Sequence, residues 1–159
     1  MYYSFFIPID ILQEEKPELA KYFSTWNSED SLTNLRKDAA MQIFNNAVSL
    51  LRSGHLRSGE VEMLAAINLG MDSLRVYEFL GQYTLQHKEL SKAEHYYKKC
   101  LQIDNTKQGN LFGLYLIYFL MSDKDNMETM ISKLIETGLD KTDIKQYTDQ
   151  FIANLGGLQ

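Results

Sequence analysis

Residues 73–105 constrain the fold of this chain more than any other stretch. They read SLRVYEFLGQYTLQHKELSKAEHYYKKCLQIDN, two amphipathic helical segments joined by a short polar link. Tyr77, Leu80, Gly81 and Thr84 share one side of the first segment, Ala93, Tyr97 and Cys100 share one side of the second, and Asn105 closes the unit. The same phase recurs at a period of about 34 residues. It brings Ile43, Tyr77 and Leu111 into register, then Ala47, Gly81 and Tyr115, then Leu50, Thr84 and Tyr118. In the second segments it aligns Gly59 with Ala93 and Met127, Met63 with Tyr97 and Ile131, and Ala66 with Cys100 and Leu134. Small or apolar residues fill nearly every rung, so three consecutive helical hairpins are expected over residues 40–139. Gly81, Ala93 and Ala66 allow two helices to approach closely, while the large residues opposite fill the holes. Tyr115 breaks this rule, and a wider or re-angled crossing is expected in the third hairpin.

The order Tyr77, Leu80, Gly81, Thr84, Ala93, Tyr97 resembles the tetratricopeptide (TPR) pattern W-x2-L-G-x2-Y…A-x3-F…P. Every spacing agrees. Tyr77 stands for the Trp, Thr84 for the Tyr and Asn105 for the closing Pro. The resemblance implies an all-α array of three TPR-like repeats, in which each hairpin leaves an apolar face for its neighbour to cover.

The chain of 159 residues is of a length for one domain. With 45% hydrophobic and 23% charged residues it has the composition of a folded domain rather than a disordered one. Two prolines, and glycines placed mostly at helix ends, favour helices throughout. The net charge of −5 comes with no basic stripe, which argues against nucleic acid as a partner. A single cysteine excludes an intramolecular disulfide and suits a reducing, cytoplasmic setting. The N-terminal MYYSFFIPIDIL has no basic residue before its apolar run and is interrupted by Pro8 and Asp10, a poor secretory signal. The apolar run 111–121 is far short of the roughly 20 residues a membrane-spanning helix needs.

In chain order, residues 1–12 read as an extended aromatic segment. Pro17 sits in the first turn of a helix running to about Trp26, with Leu19, Tyr22, Phe23 and Trp26 on one side. Residues 1–31 thus form an N-terminal segment and helix. Further helices are expected over 32–53, 59–69, 111–121, 127–137 and 143–155, with two more, joined by a short link, within 73–105. Asp72 or Ser73 and Asp140 or Thr142 serve as N-caps, and Gly54, Gly70 and Gly138 as stops. Residues 107–110 are read as a link. Residues 140–159 give a capping helix, with Tyr147, Phe151 and Ile152 on one side, and a tail.

No catalytic constellation emerges, and no cofactor is expected. His55, His87 and His95 lie in or near turns or on a polar face, without a second ligand at i+4. Cys100 occupies a packing rung, which favours a buried thiol over a nucleophile. Glu14–Glu15 and Glu60 with Glu62 read as solvated helix ends, and there is no Gly-rich phosphate loop. The chain is therefore expected not to be an enzyme.

In TPR proteins the first helices of successive repeats line a concave groove that receives an extended peptide or a helix. The resemblance carries that role to three rows. The first is Met41, Phe44, Val48, Leu51 and Arg52; the second is Arg75, Glu78, Gln82, Leu85 and Gln86. The third is Gly109, Phe112, Leu116, Phe119 and Leu120. Two rows are apolar, and segment 111–121 is apolar all round, so something must cover it. The expected covers are an in-chain helix, the N-terminal aromatic segment, a second copy of the chain in a homodimer, or another polypeptide. Arg52 and Arg75 are the only cations expected along the groove, and no paired Lys and Asn clamp for a terminal carboxylate is present. Apolar pockets are expected to carry recognition, with the polar second row fixing register.

The size, acidic balance and N-terminal helices before three repeats resemble the class II chaperones of type III secretion. That likeness implies a bacterial cytoplasmic protein keeping a hydrophobic partner soluble. The competing expectation is a structural subunit of a larger assembly with its groove permanently filled.

Overall fold

The structure is a computed structural model and describes residues 29–156. Among the described residues the chain is all-α, with no strand. The helices are α1 (Glu29–Arg52), α2 (Leu56–Asn68), α3 (Ser73–Gln86), α4 (Leu90–Ile103), α5 (Gln108–Met121), α6 (Lys124–Glu136) and α7 (Lys141–Gly156). α1 packs on α2, α3 on α4 and α5 on α6, giving three successive hairpins and a further helix. The helix expected over 17–26 and the aromatic segment 1–12 lie outside the described residues. The helices group into two compact units that meet in sequence at Met71 and Asp72.

The repeat is written into the backbone as well as the side chains. Gly54, Lys88 and Ser122, each 34 residues after the last, all adopt left-handed φ values of 83°, 60° and 58°. Each ends the first helix of a hairpin, and the same pair of hydrogen bonds closes all three turns. Gly54 N donates to Leu51 O, Lys88 N to Leu85 O and Ser122 N to Phe119 O, at 3.0 to 3.1 Å. The following residues, His55, Glu89 and Asp123, donate back to Leu50, Thr84 and Tyr118, all at 2.9 Å. These bonds satisfy carbonyls that a helix end leaves orphaned. Gly70 and Gly138 stop the second helices of the first and third hairpins, at φ +101° and +98°.

In the first unit α1 and α2 cross where Gly59 meets Ala47 and Leu51. A Cβ at Gly59 would lie 2.6 Å from Leu51 Cγ and 3.0 Å from Ala47 O, so no larger residue fits that crossing. Ala47, Met63 and Ala66 are fully buried, on the rungs the period assigns. Asn46 Nδ2 donates to Glu62 Oε2 at 2.6 Å across the same pair.

In the second unit Leu80, Ala93 and Cys100 are fully buried, and Tyr77 stacks on Tyr96 with ring centroids 6.3 Å apart. Asp72 caps α3 by accepting from Leu74 N, Asp123 caps α6 through Asn126 N, and Asp140 accepts from Thr142 N and Asp143 N. α5 carries no charged residue, and nearly all of its side chains from Asn110 to Tyr118 are buried. Tyr118 Oη donates to Glu94 Oε1 of α4 at 3.0 Å. That carboxylate is held below its ordinary range first by the Lys98 hydrogen bond and also by the Tyr118 hydrogen bond, against the cost of burial.

α1 begins at Glu29 rather than 32 and α7 at Lys141 rather than 143, and three further helix starts differ from expectation. α2 begins at Leu56 rather than 59, α5 at Gln108 rather than 111 and α6 at Lys124 rather than 127. In the first, Gly59 is a packing position one turn inside the helix. In the second, residues 108–110 form the first turn of α5, and Asn110 is buried there. In the third, Asp123 supplies a cap that the apolar pattern did not reveal.

Cys100 yields a pH prediction. Burial first, then the Glu78 carboxylate, pushes its thiol up to about 12 from an ordinary 9.0. Burial also raises the Tyr97 phenol. Above pH 9 the unfolded chain releases the cysteine proton while the folded chain keeps it. The stabilisation is thus whole below pH 9 and is lost as pH rises toward 12. Urea midpoints are expected to fall through this window, by up to about 1.4 kcal/mol per pH unit for each such group. Cys100→Ala should make the fall shallower; an unchanged slope would remove Cys100 as its source.

Candidate functional site

The expected first row lies on α1, within the first unit. Phe44 and Leu51 are buried there, Val48 is half-buried, and Met41 and Arg52 are exposed. Phe44 and Leu51 are thus core residues, held by the α1–α2 packing that Gly59 permits.

In the second unit α3, α5 and α7 enclose a cleft of about 550 Å³. Glu78, Gln82, Leu85 and Gln86 from the second row line it, with Gly109, Phe112 and Leu116 from the third. The repeat phase therefore brings seven of its ten residues on these helices to one concavity. Arg75 is exposed on α3 and is not among the lining residues. Phe119 faces a second cleft, and Leu120 packs half-buried against the core. Leu85 and Leu116, at 3% and 4% exposure, form the floor and are held by the core rather than offered to solvent.

Six lining residues lie outside the expected groove rows: Tyr97, Lys107, Asn110, Gly113, Phe151 and Asn154. Lys107 and Asn110 come in because α5 starts early and its first turn reaches the cleft. Lys107 Nζ pairs with Glu78 Oε1 at 2.6 Å, and Asn110 Nδ2 donates to the same oxygen at 2.9 Å. The Lys107 ammonium is raised above its ordinary value, first by its hydrogen bond to Glu78. The expectation that Arg52 and Arg75 alone supply cations is thereby corrected: Lys107 is the cation of this cleft. Gly113 lies off the repeat phase, so nothing marked it. Phe151 was legible as part of the apolar side of the last helix.

The third row is partly covered. α7 lies against α5 through Ile144 and Thr148, both buried, and through the ring of Tyr147, edge-on to Phe112 at 6.0 Å. Tyr115, the bulky residue at a small-residue rung, is buried with its hydroxyl 3.4 Å from Thr148 Oγ1. A second cleft of about 640 Å³ lies between α5, α6 and α7, lined among others by Tyr115, Phe119, Ile131, Ile144 and Ile152. An in-chain helix thus covers part of the apolar face of α5, and open clefts flank it.

The first cleft joins an apolar floor to a rim of amides: Gln82, Gln86 and Asn154 beside the Glu78–Lys107 pair. Amide side chains both donate and accept hydrogen bonds, so this rim can pair with neutral polar groups of either kind. His87 is stacked on Tyr83 at 4.1 Å with Nδ1 2.8 Å from Tyr83 O, and His95 packs against the edge of Tyr96. Among the described residues no helix is long and apolar enough to cross a membrane. No protein-family model matches the sequence, and no curated protein matches it.

Proposed function

We propose that this chain is a non-catalytic, TPR-like interaction protein that holds a segment of another polypeptide in the cleft between α3, α5 and α7. The observation that carries the reading is the convergence there of Glu78, Gln82, Leu85 and Gln86 with Gly109, Phe112 and Leu116, two rows set by one repeat period. An apolar anchor of the partner fills the space over Leu85, Tyr97, Phe112 and Phe151, and the amide rim pairs with its backbone. Glu78 and Lys107 neutralise each other, so affinity should depend little on salt. A cytoplasmic chaperone of a hydrophobic secreted partner is the narrower form of the proposal.

The test is selection of binders from a displayed peptide library, followed by the double variant Gln82→Arg, Gln86→Arg. Both positions are exposed on α3, so thermal stability should change little, while the added bulk and charge fill the cleft. Binding is expected to fall at least tenfold. Selected peptides that bind wild type and variant alike would exclude the cleft.

A further inference from the structure

α7 is lightly anchored in the second unit. Of its described side chains only Ile144 and Thr148 are buried, and Phe151 is half-buried. The central buried residue is polar. Thr148 Oγ1 donates to Ile144 O of its own helix at 2.6 Å, and the Tyr115 hydroxyl, at 3.4 Å, lies at the outer edge of hydrogen-bonding range. The surface beside it is largely apolar, with Phe112, Tyr115 and Phe119 of the uncharged α5 and Ile131 and Ile135 of α6. Clefts of about 550 and 640 Å³ lie on the two sides of this contact. α7 therefore sits on a surface that could make better use of a different side chain at its centre.

We propose that α7 is a displaceable resident of the α5 face, and that an amphipathic helix of a partner chain takes its place. This rests on the reading of the cleft as a polypeptide site, and it names the partner's chemistry and the step that admits it. The resident helix gives the pattern: Ile144, Thr148 and Phe151 stand at i, i+4 and i+7. The replacing helix carries apolar residues at all three positions, so it gains burial where α7 has a hydroxyl. When α7 leaves, the two clefts join into one apolar channel along α5, with room for larger side chains than α7 supplies. The turn at Gly138, already at φ +98°, lets α7 swing while α5 and α6 stay paired.

The test uses the full chain and a labelled synthetic peptide of residues 141–156 carrying Thr148→Leu. Binding should be saturable, and amide hydrogen exchange in α7 should quicken at least tenfold on binding while α3 and α5 keep their protection. The full-chain variant Thr148→Val removes the hydroxyl at constant size. It should slow α7 exchange and weaken peptide binding at least fivefold, with circular dichroism reporting that it is folded. Peptide bound with α7 exchange unchanged overturns the displacement and leaves the cleft reading standing. An α7 that exchanges no faster than α5 in the free wild-type protein also overturns it. Failure of this peptide and of every library peptide to bind overturns the reading of the cleft, and the inference with it.

Discussion

Gly113→Ala is expected to destabilise the second unit by about 1–3 kcal/mol, the usual cost of overpacking a well-filled site. Alanine in place of a mid-helix glycine ordinarily gains about 1 kcal/mol, so the sign is reversed here. The cause is the ring of Tyr97. A Cβ at Gly113 would lie 2.5 Å from Tyr97 Cζ and 2.6 Å from Cε1. The ring has little room to yield, because a Cβ at Gly81 would meet its other atoms at 3.2 Å. Tyr97 thus lies in a slot between a glycine of α3 and a glycine of α5, and joins two hairpins through its ring. Tyr97→Ala alone should cost about 3–5 kcal/mol, the range for losing a buried aromatic side chain. In that background Gly113→Ala should be neutral or mildly stabilising. A double-mutant cycle by urea denaturation reads the coupling directly. Additive costs would mean that the slot does not restrain the ring.

Leu116→Glu is expected to cost about 4 kcal/mol or more, enough to leave the second unit largely unfolded at neutral pH. Leu116 belongs to the buried cluster with Leu85, Tyr97, Tyr115 and Ile117, and it has no cationic neighbour in its row. A glutamate there would resist ionisation, so its folded-state pKa would rise. The penalty should therefore ease as pH falls below about 5, where the side chain is neutral in both states. Phe112→Glu, at a half-buried position on the rim of the same cleft, should be milder and should act on binding. Measured stabilities of the two variants in the opposite order would show that the floor and rim of the cleft have been exchanged.

The sequence made the hairpins legible because packing between paired helices leaves a residue-by-residue mark. Ala47, Gly81, Ala93 and Cys100 are small because another helix lies against them, and the period exposes the set even where one member drifts. Turn residues were legible at Gly54, Gly70 and Gly138, since glycine tolerates the left-handed backbone. Lys88 and Ser122 take the same conformation without that signature, and only their distance from Gly54 marks them. The groove rows were half legible. Phase selects which side of α3 and α5 faces inward, but it cannot say that α7 will roof part of α5. It also could not reveal Gly113, because one ring from another hairpin, not the repeat, demands that residue. The link assigned to 107–110 failed for a related reason: Gly109 and Asn110 look like breakers, yet Asn110 is anchored by Glu78 from a neighbouring helix.

The matching left-handed corners at Gly54, Lys88 and Ser122 bear on how the polypeptide acquires its shape. Each corner joins residues only five apart through its own backbone bonds, so every hairpin can close before any distant part of the chain arrives. Short loops cost little chain entropy, and topologies made of such neighbours reach the native state quickly. During synthesis, hairpins of this kind can form one by one, in the order in which they emerge.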